Sequence, residues 1–79
     1  LDAQRSITVG NEKLLVYPTV PIFRVFDLFR DPYEMNDLAS TSRGRKIASR
    51  LFPRLIELQE KMGDSLSLTG KFNELNLGL

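Results

Sequence analysis

Four carboxylates and one lysine are the residues of this chain whose type and spacing could do chemistry. Asp27, Asp31, Glu34 and Asp37 recur every three or four positions, and several oxygens at close intervals are what a hard cation such as calcium takes. The spacing departs from the EF-hand pattern and Pro32 interrupts it. Short acidic side chains in a turn also bond nearby backbone N–H groups, and that is the reading preferred here. Lys13 heads a run of apolar residues and could reach an anionic ester. The preferred reading is a strand lysine whose stem covers apolar surface. The sequence contains neither histidine nor cysteine, which removes the commonest general base, cysteine-based zinc sites and disulfides. No nucleophile stands beside a base. Within this sequence no catalytic residue, cofactor ligand or metal ligand is assigned.

The 79 residues set a ceiling of one domain, spanning 1–79. A chain of this size buries only about 60–65% of the surface its unfolded form exposes, so such scaffolds usually lean on a staple or a partner. With 11 basic and 10 acidic residues, a formal charge of +1, the balance gives no case for nucleic acid or a membrane surface as partner. Arg43, Arg45, Lys46, Arg50 and Arg54 form one basic cluster, read as a solvated helix face. No apolar run approaches the ~20 residues of a membrane span, and no signal peptide is visible. Tyr17, Phe23, Phe26, Phe29 and Tyr33 lack the basic groove that a base-stacking surface needs; packing in a core or an interface explains them better. The first residue is Leu1 rather than methionine, which leads us to expect a fragment, a processed product or an excised domain.

The elements that must position these groups follow from periodicity. Arg5-Ser6-Ile7-Thr8-Val9 alternates polar and β-branched residues, a strand pattern. Gly10-Asn11 is a two-residue hairpin turn, and residues 12–17 form a second strand. Leu14 and Val16 share one face of it, and Lys13, Leu15 and Tyr17 the other. Pro18 and Pro21 exclude a central strand between them. Residues 22–28 resume strand character, with Phe23 and Val25 on one face and Arg24, Phe26 and Leu28 on the other. Arg30 to Glu34 break the sheet, Leu38 pegs the loop to the core, and residues 40–42 offer N-caps. From residue 42 to 62 the stripe Ile47, Leu51, Leu55, Leu58, Met62, widened by Ala48 and Phe52, specifies an amphipathic helix. Pro53 within it predicts a kink or a break, and Gly63 a stop. The expected fold is α+β: a small antiparallel sheet of three strands, packed against a C-terminal helix kinked near Pro53, with order over about 5–62. A short fourth strand over 65–69 competes with a weakly ordered tail over 65–79.

Lys13-Leu14-Leu15-Val16-Tyr17-Pro18, then Val25-Phe26-Asp27-Leu28, then Asp31-Pro32-Tyr33-Glu34-Met35-Asn36-Asp37-Leu38-Ala39 resembles the C-terminal subdomain of the sulfatases, in the alkaline-phosphatase-like superfamily. The likeness covers about residues 5–62. Asp37 stands where the family commonly has asparagine, another short loop-bonding side chain. The family-motif residues Asp27, Leu28, Asp31, Pro32, Glu34, Asp37 and Leu38 are expected to be structural. The resemblance implies a subdomain beside a larger α/β catalytic domain that holds calcium and a formylglycine made within a Cys/Ser-x-Pro-x-Arg signature. That signature is absent from this sequence, so no catalytic residue carries over.

The function expected from the resemblance is a non-catalytic part of a sulfuric ester hydrolase. It would brace the catalytic domain and wall the substrate cleft, with Lys13 as the cleft candidate. Export to periplasm or cell exterior, or a lysosomal location, goes with the family. The alternative is a free-standing interaction module that binds a protein or peptide through an open sheet edge. One helix can cover only one face of a sheet. The other, with Leu15, Tyr17 and Phe26, is expected to be an apolar patch, open to the catalytic domain or to self-association.

Overall fold

The structure, a computed structural model, describes residues 4–17, 22–64 and 68. The strands β1 (Arg5–Val9), β2 (Glu12–Tyr17) and β3 (Ile22–Asp27) precede one helix, α1 (Ser42–Lys61). The sheet is antiparallel in the order β1-β2-β3, so the α+β fold and the three-stranded meander are as the alternation specifies. Val9 pairs with Glu12 across the hairpin. Gly10 takes a positive φ of 61° and Asn11 does not, the II′ pattern that matches strand twist.

One face of the sheet meets α1. Leu14, Val16 and Val25 pack against Ile47, Ala48, Leu51, Phe52 and Leu55, with Leu68 joining them and Ile7, Val9, Phe23, Leu38 and Ile56 at the margin. Full burial of each large side chain contributes roughly 1.5–3 kcal/mol. Because strand side chains alternate, a one-residue slip of β2 would expose Leu14 and Val16, and this fixes the register.

Both ends of α1 are capped by local chemistry. At the start, Thr41 Oγ1 accepts from Gly44 N at 2.9 Å, choosing one cap among the three offered. At the end, Gly63 (φ 70°) donates to Glu60 O and Asp64 N to Gln59 O, the paired bonds of a Schellman stop. Asp64 then receives Gln59 Nε2 at 3.0 Å and Arg5 Nη2 at 3.2 Å, tying the helix end to the first residue of β1.

Three expectations are corrected or narrowed. Of the two outcomes expected at Pro53, the break does not occur, and α1 is a single helix through it. Leu51, Phe52 and Leu55 are buried on either side, so the sheet holds both halves while the Ser49 carbonyl forgoes its donor. The buried stripe does not extend through Leu58 and Met62, which are 38% and 75% exposed. Leu55 and Gln59 occupy the buried positions of the last turns, while Leu58 and Met62 border an open depression beside Arg5 and Ser6 of β1. Phe26 is not part of an open apolar patch. It is 4% exposed, opposite Lys13 in the register, where the loop after β3 returns over that corner. Leu15 and Tyr17 are half-buried, and Arg24 lies over the Tyr17 ring at 5.8 Å. The expected strand over 65–69 and the weak order of the tail lie outside the described residues, apart from Leu68, which is buried in the core.

Candidate functional site: the loop between β3 and α1

Residues 28–41 connect β3 to α1, and three aspartates organise them. Asp27, at the end of β3, accepts from Phe29 N at 3.0 Å and from Arg30 N at 3.3 Å through Oδ1. Its Oδ2 accepts from Arg43 Nη2 at 2.7 Å, so the strand end is bolted to the first turn of α1. Asp31 accepts from Met35 N at 2.9 Å and Asn36 N at 2.8 Å. Asp37 Oδ1 accepts from Val25 N and from Ala39 N, both at 3.0 Å.

Backbone bonds complete the frame. Leu28 N donates to Asn11 O at 2.7 Å, and Leu38 N to Val25 O at 2.8 Å. With Asp37, the latter satisfies both outward backbone groups of Val25, which closes the middle of the β3 edge against another strand. Thr41 N and Oγ1 both donate to Leu38 O. Gly44 is buried directly against that carbonyl, where a Cβ would overlap the backbone.

Glu34 has φ 56°, an unusual conformation for a residue with a side chain. Its carboxylate receives Lys13 Nζ at 3.0 and 3.1 Å. This is a part-buried pair linking the central strand to the loop tip, and it holds the turn in its left-handed geometry. The structure therefore places the Lys13 ammonium on Glu34, with its side chain 22% exposed.

The motif residues divide by task. Asp27, Asp31 and Asp37 cap backbone N–H groups, and Glu34 pairs with Lys13. Leu28 and Leu38 are half-buried, Leu38 against the core, and Pro32 is exposed in the turn. The four carboxylates do not converge, and among the described residues no group of three or more acidic side chains could hold a metal ion. Arg43 holds the Asp27 carboxyl below its usual range, helped by the backbone donors. The Arg50 guanidinium does the same to Glu12, to which it donates from both Nη1 and Nη2.

This frame presents three large apolar or aromatic side chains among polar ones such as Arg30 and Asn36. Phe29, Tyr33 and Met35 are 78%, 85% and 79% exposed on a loop whose acidic groups are already taken up. Such a surface can bind another protein surface without first being ordered. Spacing pointed to the aspartate caps; the ion pairs of Arg43, Arg50, Arg5 and Lys13 join distant positions, and periodicity carries no trace of them. The packing role of Gly44 had a signal, a lone glycine inside a helical pattern. Compared with known proteins, the chain matches no family model, no curated protein and no solved structure.

Proposed function

We propose that this chain is the non-catalytic C-terminal part of a sulfatase-type hydrolase, which braces a catalytic α/β domain and helps to wall its substrate cleft. The observation that supports this reading is the β3–α1 loop. Its aspartates and the Lys13–Glu34 pair are spent on holding one conformation, and that conformation turns Phe29, Tyr33 and Met35 outward. A loop built for catalysis would direct its carboxylates at a substrate. This one directs them at its own backbone and at Lys13 and Arg43, as a brace does.

In this reading the partner is the catalytic domain, which supplies calcium and formylglycine for sulfate-ester hydrolysis; this chain contributes none of those donors. Lys13 acts by fixing Glu34 rather than by meeting the ester. The rival, a free-standing module using a sheet edge, is disfavoured at β3, where Asp37 and Leu38 occupy Val25. Reading the coding frame upstream of Leu1 tests the proposal. A continuous frame carrying Cys/Ser-x-Pro-x-Arg agrees with it, and a start codon immediately before Leu1 sinks it.

A further inference from the structure

We infer that the outer face of α1 carries a binding stripe for a linear anionic polysaccharide, an inference that does not depend on the sulfatase reading. Residues 42–56 include Arg43, Arg45, Lys46, Arg50 and Arg54 and no acidic residue. Arg43, Lys46, Arg50 and Arg54 are spaced by three, four and four positions, so they line one side of the helix. All four are exposed. At 1.5 Å per residue the stripe is about 16 Å long, with a cation at each helical turn of about 5.4 Å. It ends at Glu57, the next position on that side.

Helix stability does not account for this arrangement. The first turn has no acidic residue, and cations there oppose the positive end of the helix dipole. Two of the four are anchored from behind. Arg43 is held by Asp27 and Arg50 by Glu12, yet their side chains remain 54% and 55% exposed, which leaves guanidinium edges free to donate outward. Lys46 and Arg54 pair with no acidic side chain among the described residues. Arg45, Lys46, Ser49 and Arg50 surround an open depression of about 460 Å³, where a hydroxyl and planar forks can meet oxoanion groups.

Charge complementarity selects a polyanion, and two features select a polysaccharide among polyanions. The positions flanking the four-cation row are Arg45, Ser49 and Pro53, none of them large and apolar, so a protein partner would find no large apolar anchor. No exposed aromatic residue lies along the stripe, so bases would find no platform.

The test is a binding titration of the 79-residue chain with a heparin-derived octasaccharide at increasing salt, beside poly-glutamate and oligothymidylate of similar charge. The octasaccharide is expected to bind most tightly, with affinity falling as salt rises. The double variant Lys46→Glu/Arg54→Glu alters only exposed side chains outside the ion pairs of the described residues. It should weaken binding by roughly tenfold or more, while Arg24→Glu on the opposite side of the sheet leaves it unchanged. Circular dichroism confirms that both variants fold. Absence of binding at low salt, an equal loss from Arg24→Glu, or tighter binding of either competitor would overturn the inference.

Discussion

A methyl group added at Gly44 would overlap the carbonyl of Leu38, and neither partner can yield without moving the helix start off the loop. Gly44→Ala is therefore expected to cost about 1–3 kcal/mol, read as a lowered urea midpoint. Asp37 offers a second test at this scale. Its Oδ1 serves Val25 N and Ala39 N, so Asp37→Ala strands two backbone donors, one on a buried residue, at about 1–3 kcal/mol. Asparagine retains the same oxygen, and Asp37→Asn should lie within about 0.5 kcal/mol of the parent. The capping roles were legible beforehand because Asx-type bonding is local: an aspartate needs only its own next few residues. The Glu34 conformation was not, since it depends on Lys13, which approaches from a different strand.

The elements are legible in the sequence wherever a period fixes them. The three strands and the helix follow from alternation and from the Ile47–Leu51–Leu55 stripe, which needs no knowledge of the rest of the chain. Leu58 and Met62 continue that stripe in sequence, but they border an open depression beside Arg5 and Ser6 of β1, and a helical period cannot record which of its positions the sheet covers. Pro53 shows the same limit in reverse. Its local cost is real, yet burial of Leu51, Phe52 and Leu55 holds the helix together across it. Because Pro53 is exposed, Pro53→Ala should restore a donor to Ser49 O without disturbing the core. It is expected to stabilise the chain by about 1–2 kcal/mol, the helix gain less the greater freedom of the unfolded chain. A thermal midpoint unchanged or lowered in that variant would show that the helix is adapted to the proline.

Over the whole molecule, the ion pairs close the structure at points that the apolar core does not reach: Asp27–Arg43, Glu12–Arg50, Lys13–Glu34 and Arg5–Asp64. Asp27 and Glu12 have folded pKa values below their ordinary 3.8 and 4.5. Their contribution is thus fully present above those ordinary values and is lost as pH falls through the lower folded ones. The chain has no histidine, so no side chain titrates at its ordinary pKa between about pH 5.5 and 8. The urea midpoint should be level over that range and drop below about pH 4.5. Arg43→Met should flatten the acid limb of that profile. The proposal to test first is that the exposed loop braces a sulfatase catalytic domain. The direct measurement is 4-nitrophenyl sulfate hydrolysis by the full gene product, compared with its Phe29→Asp/Tyr33→Asp variant. Both substitutions replace exposed side chains, so the urea midpoint of the 79-residue chain should not move. The account predicts a fall in hydrolysis of roughly tenfold or more, as expected for losing the anchors of an interface. Unchanged hydrolysis in the variant, or none in the parent, would contradict it.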